Sequence, residues 1–140
     1  MKYDDSSWHA QSEDGRRIPA GAGATHIGMF LAWAINRGLT ATLDQVWQDD
    51  IAVLKRREMA PGAWLTHYCD GKFSDSMLST EGNAFAEAYY DDEGEYLPDY
   101  ARILGADVDT LYDVPDNWDS YDRLAPVLDA RLVQWRGARV

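Results

Sequence analysis

The sequence predicts a mainly α fold, a compact single-domain bundle of five or six helices with at most a short β element. Apolar residues recur at helical spacing in several separate segments. Helix-stopping signals stand between those segments, among them Gly38, Pro61-Gly62 and Gly105. A chain of 140 residues fits one domain, and an apolar share of 46% is enough to fill a core. One globular domain over 1–140 is therefore expected, with 1–22 as an extended arm.

That arm is polar and rich in Gly, Ser and Asp, and Trp8 reads as its anchor into the core. Thr25 is a plausible N-cap for a helix running to Arg37. Ile27, Phe30, Leu31 and Ala34 repeat at helical spacing, and Met29, Trp33 and Ile35 make this helix apolar nearly all round. Such a helix belongs at the centre. It does not span a bilayer, because its nine apolar or glycine residues from Ile27 to Ile35 fall short of the about twenty required. The opening residues also lack a basic region leading into an apolar one, so no signal peptide is expected and the cytoplasm is the default address.

Thr42 and Gln45, three apart, form a capping-box pattern for a second helix whose stripe is Leu43, Val46, Trp47, Ile51 and Leu54. Lys55-Arg56-Arg57 close it with positive charge. Ala63 to Cys69 fits a short helix or a strand, and Asp70-Gly71 is a turn. A helix over Thr80 to Tyr90 would face Ala84, Phe85, Ala88 and Tyr89 inward. Pro98 suits the first turn of a short helix ending before Gly105. "TLYDV" reads as a short strand, Asp116 as a cap for the turns after it, and Pro126 as the first turn of a final helix through Val127, Leu128, Leu132 and Trp135.

Charge narrows the partners. Twenty-four acids against thirteen bases give a net −11, which disfavours nucleic acid and anionic membrane surfaces as ligands. A basic protein would instead be attracted and steered. The acids are regional: eleven lie between Tyr89 and Asp122, with Arg102 the only base among them.

Chemical motifs are few. One cysteine, Cys69, excludes an internal disulfide and any multi-cysteine zinc site. The histidines are His9, His26 and His67, and no spacing among them and Cys69 matches a metal-ligand motif. No metal or cofactor is expected, and His26 reads as a structural residue hydrogen-bonded to Asp4, Asp5 or a backbone carbonyl, with "YDDSSWH" strapped across that helix end. There is no nucleophile-elbow motif, phosphate loop or dinucleotide fingerprint.

Three stretches carry a resemblance: "YDDSSWH" at 3–9, "GATHIGMFLAWAINRGL" at 23–39 and "CDGKFSDSMLSTEGNAFAEAYY" at 69–90. "YLPDYARILG" and "LYDVPDNWDSYDRLAPVLDARLVQW" extend it over nearly the whole chain. The set resembles a family of small bacterial domains of unknown function whose members look like immunity proteins, cytoplasmic antidotes to toxins of polymorphic or type VI secretion systems. The resemblance supplies no catalytic residues. It implies a non-enzymatic inhibitor of one cognate protein toxin. The acid-rich stretch from Tyr89 to Asp122 suits a basic toxin, such as a nuclease, and the free antidote is expected to be a monomer or weak homodimer. The expected contact residues are Asp91, Asp92, Glu93, Glu95, Tyr96, Asp99, Asp109, Tyr112, Asp113, Asp116, Trp118 and Asp119, aromatics set among steering charges. The alternatives are a small hydrolase using His67 and Cys69, and a ligand-binding or scaffold domain.

Overall fold

A computed structural model describes residues 1–9, 17–19, 21–41, 45–91 and 94–138. Among these residues the chain forms six α-helices and one two-stranded antiparallel sheet, so the mainly α expectation holds. None of the helices is long and apolar enough to cross a membrane.

The core is built around α1 (Thr25–Asn36), where every residue from Thr25 to Ile35 is buried. The all-round apolar pattern put it there, since no face of this helix favours water. Its side-chain cap is absent: the helix starts at Thr25 itself, on a 3₁₀ turn at Ala22–Ala24. α1 packs mainly on α3 (Pro61–Cys69), with α2 (Gln45–Lys55) and the long α6 (Trp118–Ala138) as further neighbours. The α1–α3 approach is close because residue 28 is glycine; a Cβ there would overlap the Pro61 carbonyl. Around Phe30 gathers an aromatic cluster, with ring centroids of Tyr90, Tyr96, Phe73 and Trp33 at 4.8, 5.3, 5.7 and 5.7 Å.

β1 (Lys2–Asp5) pairs with β2 (Lys72–Ser74), Asp4 opposite Phe73 and Asp5 opposite Lys72. A 3₁₀ turn at Ser6–His9 comes directly after β1, and the Ser6 amide donates to the Gly71 carbonyl. α4 (Thr80–Tyr89), capped by the Ser79 hydroxyl, and α5 (Tyr96–Leu104) complete the shell.

Several local expectations change. Trp8 is not an anchor in the core: it is 57% exposed, with the Lys2 ammonium 5.3 Å from its ring centroid. "TLYDV" holds a 3₁₀ turn at Leu111–Asp113, closed by a capping box between Thr110 and Asp113, where a strand was expected. Pro126 lies inside α6, because the Asn117 side chain caps that helix by accepting from the Ser120 amide and starts it eight residues earlier than Pro126. Val46 is exposed on α2, and Ala88 on α4. Thr42 and Leu43 lie outside the described residues.

Candidate functional site

Asp4 is the hub of a buried polar cluster at the start of α1. β1 is too short to continue past Asp5, and the turn after it brings His9 back over Asp4. His9 Nε2 lies 2.7 Å from Asp4 Oδ1, and His26 Nε2, from the first turn of α1, lies 3.2 Å from Asp4 Oδ2. The imidazole rings meet edge to face at 4.6 Å. Residue 23 must be small for this, because a Cβ on Gly23 would come within 2.8 Å of His9 Cβ.

The outer partners are equally defined. The Tyr90 hydroxyl donates to Asp4 Oδ2 at 2.6 Å, and the Asp5 amide to Oδ1 at 2.8 Å. His9 Nδ1 lies 2.9 Å from the Tyr112 hydroxyl. The Tyr96 hydroxyl donates to the His26 carbonyl. Burial would raise the Asp4 carboxyl, but hydrogen bonds from His26, His9 and Tyr90 outweigh it and hold Asp4 well below the usual carboxylate range. Burial pushes His26 below its ordinary value against the pull of Asp4, so the ring is neutral at pH 7. Being ionised, Asp4 only accepts, and both Nε2 atoms therefore donate to it.

A small cavity of about 170 Å³ opens beside this cluster, lined by Asp4, His9 and His26 together with Trp8, Asp91 and Leu97. Leu97 is 45% exposed, so the cavity mouth has an apolar lip flanked by acid. His67 is elsewhere, exposed on α3 and bordering a different, wider hollow with Asp116. Burial, with Asp50 nearby, pushes the Cys69 thiol up to about 12, which leaves little thiolate at neutral pH. The histidines that converge do so on a carboxylate.

The expected contact residues divide. Asp91, Glu95, Asp109, Asp113 and Asp119 are exposed. Asp113 also accepts from the Thr110 amide at 3.1 Å. Tyr112 is half-buried against His9. Trp118 is half-buried too, donating to the Met59 carbonyl at 2.9 Å with the Arg57 guanidinium 4.6 Å from its centroid. Asp116 does not cap the turns that come after it. It accepts from the Gly62 and Ala63 amides at 2.7 and 2.9 Å, capping α3, whose first-turn N–H groups have no partner within their own helix. Tyr96 and Asp99 are buried to 0% and 2% exposure, so they are not surface contacts. The apolar face of α5 turns both inward, Tyr96 onto Phe30 and Asp99 onto Arg131. Asp92 and Glu93 lie outside the described residues.

The Asp4–His26 contact was readable from "YDDSSWH" and the histidine at the helix start. The pairings of Tyr90 with Asp4 and Tyr112 with His9 were not, since they span 86 and 103 residues. The exposure of Trp8 also has no sequence signal.

These features define a small helical domain whose N-terminal strand and turn close over the start of its central helix through a His–Asp–His cluster. The chain belongs to the DUF7832 family, a domain of unknown function, which is matched over residues 2–114. No curated protein and no solved structure matches it.

Proposed function

We propose that the protein is an immunity protein, a non-enzymatic inhibitor that binds one basic protein toxin. The observation that carries the reading is Trp8, a tryptophan more than half exposed at a cavity mouth beside Leu97 and Asp91. A soluble domain gains nothing in stability from leaving that ring in water, whereas a partner that covers it gains a hot spot. Asp91 supplies charge at the same cavity, and the exposed Glu95 follows the lining Gly94 in sequence; neither is in an ion pair among the described residues. Tyr112, bonded to His9, links the second acidic stretch to the same arm. The sequence resemblance to immunity proteins and the net charge of −11 point the same way.

The proposed contact surface is therefore Trp8, Leu97, Asp91 and Glu95, extended by Asp109, Asp113 and Asp119. The test is to identify any secreted toxin encoded by the adjacent upstream gene and to co-express it with this protein. A stable complex and survival of toxin-expressing cells are expected. Trp8→Ala should weaken the complex by about 2 kcal/mol or more, roughly thirtyfold. Absence of both complex and protection overturns the reading.

A further inference from the structure

We propose that Asp4, His9 and His26 form a binding site for one divalent transition-metal ion of the zinc class. One ligand atom from each residue lies within 4.8 Å of the other two. Both imidazoles aim the same atom, Nε2, at one carboxylate, 2.7 and 3.2 Å away. Ligand atoms held ~2.0–2.2 Å from a tetrahedral zinc ion stand ~3.3 Å from one another. A small opening of the His9–Asp4 contact therefore admits the ion. It takes the place of the two Nε2 protons that bridge the rings to Asp4 in the metal-free cluster.

The donor set suits borderline divalent ions, which bind two histidines and a carboxylate and keep further positions open. Two of the three ligands, His9 and Asp4, are also held from behind, as metal ligands are. With Nε2 on the metal, the His9 ring carries its proton on Nδ1 and donates it to the Tyr112 hydroxyl, 2.9 Å away. Asp4 is fixed by Tyr90 and by the Asp5 amide. The open positions face the cavity of about 170 Å³, which has room for water or a small oxygen ligand. His9 is only half-buried, so the ion has a way in.

The three ligands come from β1, from the turn after it and from the first turn of α1. A bound ion ties the N-terminal arm to the central helix and shapes the surface that carries Trp8. The inference stands apart from the immunity reading, since metal uptake and partner binding are measured separately.

The test is calorimetric titration of untagged, chelator-stripped protein with zinc chloride, repeated with cobalt chloride under visible absorption. One equivalent per chain is expected, with d–d bands of a four- or five-coordinate cobalt site. His9→Ala should lower affinity at least about 100-fold. Tyr112→Phe, which keeps the ring and removes only the outer partner, should lower it roughly 10- to 100-fold. His67→Ala should change nothing. Uptake of less than one equivalent by the wild-type protein overturns the site, as does undiminished binding by a folded His9→Ala. Should His9→Ala fail to fold by circular dichroism, undiminished binding by Tyr112→Phe overturns it instead.

Discussion

Asp99 on α5 accepts two hydrogen bonds from Arg131 on α6, Nε at 2.8 Å and Nη2 at 3.0 Å. The Tyr89 hydroxyl on α4 donates to the same carboxylate at 2.6 Å, so one acid joins three helices. Asp99 is 2% exposed, while the Arg131 side chain is 33% exposed and can return to water. Asp99→Asn should therefore cost about 3 kcal/mol, the low end for breaking a buried pair. Urea denaturation at pH 7 reads it, and a loss under about 0.5 kcal/mol would class Asp99 with ordinary surface positions.

The same pair sets a pH dependence. Burial raises the Asp99 carboxyl, but the bonds from Arg131 and Tyr89 prevail and hold it below the usual carboxylate range. A group lowered by folding stabilises the fold at every pH above its unfolded value, about 3.9, and loses that contribution as pH falls through its folded value. The stability gap between wild type and Asp99→Asn should be wide above about pH 5 and close below about pH 4. Taking the difference cancels groups of opposite sense, such as Asp116, whose carboxyl burial raises. A gap that widens in acid would contradict the assignment.

Phe30 packs against Trp33, Phe73, Tyr90 and Tyr96 with 1% of its surface exposed. Phe30→Ala should cost about 3–5 kcal/mol, and Leu31→Ala about 2–5 kcal/mol. Calorimetric melting measures both, and near-zero losses would remove α1 from the centre of the core.

Periodicity made α1 legible because every turn of it is apolar, and a helix without a polar face has only one place to go. The amphipathic helices were harder. Val46 fits the stripe of α2 by spacing yet stands in water, since periodicity reports a face and not how far the neighbours cover it. The candidate site was half legible. The residues "YDDSSWH" and His26 announced a polar contact at the helix start, but its completion by Tyr90 and Tyr112 depends on how α4 and the Leu111–Asp113 turn dock. Acidity alone gave Asp99, Asp116 and Asp119 the same meaning, and only packing separates an ion pair, a helix cap and an exposed charge.

Asp116 tests that separation. As a cap on α3 it should matter to stability and not to partner association. Asp116→Ala should cost about 1 kcal/mol, as loss of an N-cap does. Stopped-flow mixing with the toxin should show an unchanged association rate. A slower rate with unchanged stability would return Asp116 to the contact surface.

Charge reversal probes the proposed interface most directly. Asp91 and Glu95 are exposed, and with Asp92 and Glu93 they make the segment "DDEGE" the densest run of negative charge in the chain. Exposed charges act over a Debye length of ~10 Å at 0.1 M salt, so they speed encounter more than they slow release. Reversing all four to lysine should slow capture of a basic toxin, flatten its salt dependence and leave the dissociation rate nearly unchanged. Trp8→Ala should do the opposite, raising dissociation with little effect on association, because a buried ring acts only once contact is made. If the four charges served solubility alone, the quadruple variant would associate at the wild-type rate even at low salt. In that event the steering charges would have to be sought among Asp109, Asp113 and Asp119, with Tyr112 as the neighbouring aromatic.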